Sequence, residues 1–215
     1  ICRFVAVCTE QDHMCIVTEL LSKGNLHVVL KRRPQEIKWP TRVQMGLDLC
    51  EAVKFLHAQT PAVLHLDIKS PNLLVNSEMQ VKLADFGLAR EKPSDPAPAE
   101  RNSFQPGTVH WMAPELITEG LKQECTDIYA VGIVLWELWV MKTPYHGMRD
   151  VKEIANQVTK QGRRPSIPED VNPSQSQNME YERMMRSCWS EDWRLRPTAE
   201  SLCRSMGSFL SSVSP

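Results

Sequence analysis

The chain has 215 residues, enough for one large domain or two small ones. Apolar residues make up 42% and charged residues 24%, the balance of an ordinary globular chain. With 25 basic against 26 acidic residues, the net charge of −1 gives no electrostatic case for a nucleic acid or an anionic membrane as partner. The seven cysteines are scattered without a C-x-x-C pair, which argues against a disulfide framework or a zinc site. It argues for reduced thiols in a reducing, cytoplasmic setting. The most apolar stretch, "YAVGIVLWELWVM" (129–141), is too short to span a bilayer and contains Glu137, so no membrane insertion is expected. No signal-peptide pattern opens the chain.

Residues 3–10 and 13–19 read as two β-strands joined by a polar turn at Gln11 and Asp12. After Gly24, "NLHVVLKRR" reads as a short helix. Trp39-Pro40-Thr41 opens a longer one, since proline is tolerated in a first helical turn. Met45, Leu49, Ala52 and Leu56 form one helical stripe; Val43, Leu47, Cys50 and Val53 widen it, predicting a deeply buried helix that Pro61 stops. Three short β runs follow at 62–64, 73–75 and 81–83, the last two flanking a polar turn at 76–78. Residues 91–106 hold Pro93, Pro96, Pro98 and Pro106 and read as an exposed loop. Helices are predicted at about 126–139, 150–161, 177–188 and 198–209, with breaks at Pro144, at Pro165 and Pro168, and at Pro197. A few strands followed by many helices make an α+β arrangement.

The stretch "HLDIKSPN" (65–72) sets His65, Asp67, Lys69 and Asn72 between the apolar runs 62–64 and 73–75. Singly, Asp67 reads as a turn former before Pro71 and Asn72 as a polar cap. Downstream stand "DFG" (85–87) and then "APE" (113–115). In this order the three motifs resemble the catalytic loop, D-F-G and A-P-E of the eukaryotic protein kinases. "DIYAVG" (127–132) and "LRPT" (195–198) carry the resemblance over essentially the whole chain. It implies a protein-kinase-like fold, with a mainly helical C-lobe and two strands of the N-lobe. Residues 1–21 would be the N-lobe remnant and hinge, 22–215 the C-lobe, and 85–115 the activation segment.

Phosphoryl transfer needs a metal to neutralise phosphate charge and a carboxylate to orient the attacking hydroxyl. Mg²⁺ takes hard oxygen ligands, few of them from protein. The resemblance implies ATP and Mg²⁺ as cofactors and protein hydroxyls as substrates. It makes Asp67 the base or orienter, Lys69 the charge stabiliser, and Asn72 and Asp85 the metal ligands. Lysine two residues after the catalytic aspartate, and Thr108 in "GTVHWMAPE" (107–115), resemble the Ser/Thr kinases. "DIKSPNLLV", "WMAPE" and "CWSEDWRLRPT" look most like their tyrosine-kinase-like group. Adenine recognition is implied at "TELL" (18–21): Thr18 behind the pocket, the Glu19 carbonyl, the Leu21 carbonyl and amide, and Leu74 as the floor. Glu115 and Arg196 are expected to form a buried ion pair, and Asp127 to hold the backbone around His65 and Leu66.

Two departures stand out. Leu66 replaces an arginine that in the family pairs with a phosphorylated activation-loop residue, and leucine binds no phosphate. Phosphorylation at Ser103 or Ser94 is therefore expected to act only weakly, unless Arg90 or Arg101 substitutes. Secondly, none of the nine glycines forms G-x-G-x-x-G, and no V-A-I-K strand occurs; those parts are expected upstream of Ile1. Without them, the apolar side chains of the first two strands are expected to face solvent. The rival expectation is a pseudokinase or truncated kinase serving as a binding or regulatory module.

Overall fold

The computed structural model describes residues 1–10, 13–32, 37–93, 108–148, 150–168 and 175–213. The turn residues Gln11 and Asp12, most of the proline-rich loop, Ser94, Arg101 and Ser103 lie outside them. Strands β1 (Phe4–Cys8) and β2 (Cys15–Thr18) form an antiparallel ribbon with an irregularity between Phe4 and Ala6. Phe4, Val5, Val7, Ile16 and Val17 all face solvent, as expected. The ribbon is tied to the rest by the Cys2 amide, which donates to the Leu83 carbonyl at 2.8 Å. The Lys82 ammonium adds a second tie to both Glu19 carboxylate oxygens, at 2.8 and 2.7 Å.

Next come β3 (Gly24–Asn25), α1 (Leu26–Arg32), α2 (Trp39–His57), β4 (Val63–Leu64), β5 (Leu73–Val75), β6 (Val81–Leu83) and β7 (Arg90–Glu91). β3, β5 and β6 make a three-stranded antiparallel sheet, and β4 pairs with β7. β3 and β7 are two residues each, too short to leave an alternation in the sequence. Asn25 Oδ1 accepts the Val28 amide at 3.0 Å and starts α1; Pro40 in the first turn of α2 lacks a donor that would go unused there.

The remaining helices are α3 (Pro114–Thr118), α4 (Glu124–Val140), α5 (Val151–Lys160), α6 (Gln175–Cys188) and α7 (Ala199–Val213). Four lie where periodicity and the proline breaks place them; α7 runs on past the predicted end at 209 to Val213. The one-turn α3 carries no period to read. Among the described residues no helix is long and apolar enough to cross a membrane.

Helix α4 is buried at every position from Thr126 to Val140. It packs on α2 and α6, while α2 packs on α7. Backbones approach closely at Gly132, where a Cβ would sit 2.7 Å from the Cys188 Cβ and 3.2 Å from the Met185 carbonyl oxygen, so the α4–α6 crossing needs a glycine. At Gly46 a Cβ would meet only the side-chain ends of Leu135 and Met206, at 2.8 and 3.0 Å.

Two buried carboxylates close this core. Glu115 takes Arg196 through both oxygens, at 2.5 and 2.9 Å. The same guanidinium donates to the Cys125 and Ser190 carbonyls at 2.9 and 3.1 Å and lies over the Tyr129 ring. Asp127 accepts the amides of His65 and Leu66 at 2.9 and 2.8 Å, and its Oδ2 contacts His57 Nε2 at 3.0 Å. Removing one partner of a buried pair strands the other. Arg196→Ala is expected to cost about 3–5 kcal/mol in chemical denaturation; a loss under about 1 kcal/mol, typical of a surface substitution, would contradict the latch. Asp127→Ala leaves one buried and one half-buried amide unpaired and should cost about 2 kcal/mol or more. Amide exchange at His65 and Leu66 should accelerate with it; unchanged exchange there would argue against the anchor.

Candidate active site

The segment from His65 to Asn72 alternates in burial for structural reasons. His65, Asp67, Ile68, Ser70 and Asn72 point inward, and Ile68 joins the main core. Burial holds the His65 pKa below its ordinary value. The neutral ring then serves both sides. Nε2 donates to the Ala84 carbonyl at 3.2 Å, and Nδ1 accepts the Asp67 amide at 3.3 Å. The Phe86 ring meets it edge-on at 5.0 Å. Leu66 takes a left-handed φ of 64°, a strained state for a branched residue, under the grip of Asp127 on its amide.

Asp67 is the centre of the polar cluster. Its Oδ2 receives Lys69 Nζ at 2.8 Å and Asn72 Nδ2 at 2.8 Å. Asn72 Nδ2 also donates to the Asp67 carbonyl at 2.9 Å. Lys69 Nζ donates onward to Thr108 Oγ1 at 3.1 Å, joining the loop to the residue that precedes the short turn Val109–Trp111. Asp67 Oδ1 is buried and has no hydrogen-bond partner among the described residues. Such an oxygen is costly to bury and is suited to accept a proton donor brought by a ligand.

Asp85 is drawn to the same place through the backbone. The Ala84 amide donates to the Asn72 carbonyl at 3.0 Å while the Ala84 carbonyl takes His65. Asp85 follows with a left-handed φ of 61°, exposed, its Oδ1 accepting the Gly87 amide at 3.3 Å. Since Nδ2 of Asn72 makes both of that side chain's contacts to Asp67, Oδ1 is left for another partner. Among the described residues no three His, Cys, Asp or Glu side chains converge on a metal position. One amide oxygen and one carboxylate fit the sparse protein ligation of Mg²⁺, which leaves the rest of its shell to phosphate and water.

The four residues assigned to adenine do not behave alike. Leu21 is buried, with its carbonyl accepting the Gly24 amide at 3.2 Å. Leu74 is half-buried in β5, opposite Asn25 on one side and Lys82 on the other. Thr18 is exposed at the end of β2, and its Oγ1 reaches the Glu19 carbonyl at 3.4 Å. Lys82 holds the Glu19 carboxyl below its ordinary pKa.

Several supporting residues escape sequence reading. Glu137, inside the apolar run of α4, accepts Ser70 Oγ at 2.7 Å on Oε1 and Trp111 Nε1 at 2.7 Å on Oε2. His27 Nδ1 stands 3.9 Å from Oε1. Burial pushes the Glu137 pKa up, and these donors oppose the shift. The charge in an otherwise apolar helix was the one available signal. For His57 there was none.

Residues 1–206 match the family model described as protein tyrosine and serine/threonine kinase. The chain is 37% identical over 198 residues to the serine/threonine/tyrosine-protein kinase HT1 of Arabidopsis thaliana, covering 92% of this chain and 47% of that protein. It is 36% identical to the probable serine/threonine-protein kinase drkD of Dictyostelium discoideum, over 91% of this chain and 14% of that one. It is 34% identical to the dual specificity protein kinase shkC of the same organism, over 94% and 38%. The chain thus spans less than half the length of each of these relatives. With its fold α+β and its motifs in family order, the chain belongs to the protein tyrosine and serine/threonine kinase family.

Proposed function

We propose that this chain supplies the catalytic centre of an ATP- and Mg²⁺-dependent protein serine/threonine kinase. The observation that carries the reading is the unpartnered, buried Oδ1 of Asp67 beside a cation already held by Thr108. Residues 1–21 then belong to the N-lobe and hinge and 22–215 to the C-lobe, with 85–115 as the activation segment. ATP and a protein hydroxyl are the substrates, and the setting is cytoplasmic.

In this reading Asp67 Oδ1 accepts the substrate hydroxyl and aims its oxygen, while Asn72 fixes the Asp67 rotamer from the other side. Lys69 has a short tether to Asp67 and offsets charge on the group being transferred. Asn72 Oδ1 and Asp85 would hold Mg²⁺, which when bound neutralises phosphate charge. Thr18, the Glu19 and Leu21 backbone and Leu74 would line the adenine site. Support for serine or threonine as acceptor comes from the Lys69–Thr108 hydrogen bond and from the kinds of kinase the relatives are named as. The rival reading is a pseudokinase or truncated kinase that serves as a binding or regulatory module.

Substitutions in the full-length protein separate the two. Asp67→Asn should leave ATP binding near normal and lower turnover about 10²–10⁴-fold. Unchanged turnover would remove Asp67 from that role, and no turnover in the unsubstituted protein would favour the module. Asp85→Ala should abolish the Mg²⁺ dependence of nucleotide binding, read by calorimetry with and without the metal; binding that keeps its Mg²⁺ dependence would remove Asp85 from the site.

A further inference from the structure

Cys8 and Cys15 stand directly opposite one another in the β1–β2 ribbon. Both are free thiols, Cys15 exposed and Cys8 half-buried. Their pairing type follows from the turn beyond them. The His13 amide donates to the Glu10 carbonyl at 2.9 Å, so these two residues form a hydrogen-bonded pair. Antiparallel pairs alternate, which makes Thr9–Met14 an open pair and Cys8–Cys15 again a hydrogen-bonded one. Cα atoms in such a pair lie about 5.5 Å apart, inside the span of roughly 4.4–6.8 Å that disulfides bridge. Both side chains leave the same face of the ribbon.

The Cβ atoms of directly opposed residues are about 4.5–5.5 Å apart, while a disulfide prefers about 3.8 Å. Bridging therefore requires the ribbon to pinch. Cys8–Cys15 is the last pair of the register, at the turn end of the ribbon, where pairing constrains the two strands least. A link closed against that resistance is also easily reopened.

From this juxtaposition we infer that Cys8 and Cys15 are a modification site, closing to a reversible intramolecular disulfide when the oxidant is a small-molecule disulfide such as oxidised glutathione. The Cys15 thiolate attacks one glutathione sulfur; the S–S bond breaks and one glutathione leaves as its thiolate. The Cys8 thiolate then attacks the Cys15 sulfur of the mixed disulfide, and the second glutathione leaves. Two protein thiols are oxidised, one glutathione disulfide is reduced to two thiols, and the two thiol protons pass to the leaving sulfurs.

Geometry and exposure single this pair out from the other cysteines. Cys50, Cys188 and Cys203 are buried, and burial pushes the thiols of Cys188 and Cys203 up to about 12. Cys125 is pushed up to about 11. Thiols so held present little thiolate to an oxidant. Cys2 is half-buried and precedes the paired register.

The sequence makes the test direct. Trypsin cuts after Arg3 and next after Lys23, so one peptide carries Cys8 and Cys15 and no other cysteine. The protein is equilibrated in glutathione buffers of rising oxidised fraction, remaining thiols are blocked by alkylation, and the peptide is weighed. The expected product is two hydrogens lighter than the reduced peptide, carries no alkyl group, and returns to the alkylated form when reduced glutathione is restored. Amide exchange over residues 4–8 and 15–18 should slow in the linked form. In Cys8→Ser the same treatment should stop at Cys15 bearing one glutathionyl group, and Cys8 lies in the ribbon, outside the helical core. A wild-type peptide that carries two glutathionyl groups would overturn the inference. So would one joined to the Cys2 peptide, or one that stays reduced while free glutathione is fully oxidised.

Discussion

Asp127 is a buried acid whose two oxygens take the amides of His65 and Leu66 and touch the ring of His57. Ten residues on, at the other end of the same helix, Glu137 takes Ser70 and Trp111. Ten helical residues span about 15 Å, and the five steps from His65 to Ser70 reach at most about 17–18 Å when fully extended. The loop is therefore tied to α4 at two points a comparable distance apart, and Asp67 falls between them in sequence. The position of the central carboxylate is set by a helix that never contacts solvent along its buried length. Burial of α4 and placement of Asp67 are one constraint.

Charge within the cluster is arranged in a consistent order. His65 is kept neutral, so it can donate to one backbone group and accept from another at once. Asp67 has one oxygen saturated by a cation and an amide and one left empty. A buried acceptor without a partner costs free energy in the resting protein. The Arg196 guanidinium is the opposite case, with its donors on the Glu115 carboxylate and two carbonyls while it lies over the Tyr129 ring.

Much of this was legible in the sequence because the informative residues are chemically unusual for their neighbourhoods. Four polar side chains between two apolar runs marked the loop at 65–72. The stripe of α2 and the continuous apolar run of α4 marked the core, and the resemblance carried by "APE" and "LRPT" implied the clamp between Glu115 and Arg196. What escaped was set by tertiary packing. His57 looks like an ordinary helix-terminal residue until Asp127 is brought beside it. Ser70 is a small polar residue in a polar loop until Glu137 reaches it from sixty-seven positions away. The left-handed φ of Leu66 and Asp85 has no glycine to announce it. Strands of two residues and a helix of one turn lie below the length at which a period can be read.

The separation between the partners in this core has a consequence for how the chain is made. Glu115 and Arg196 are eighty-one residues apart, and α2 finds its neighbour in α7. Contacts of such range are slow to form because chain entropy is lost before they stabilise anything. During synthesis, α4 is complete at Val140, while α7 is not complete until Val213. At about 5–20 residues per second, seventy-three further residues take about 4–15 s. For the first part of that interval α4 has α2 beside it but not α6, and for all of it α2 lacks the finished α7. A nascent chain of this design leaves one face of its apolar helix uncovered in the meantime, and its yield in cells is expected to depend on the supply of chaperones well before any question of activity arises.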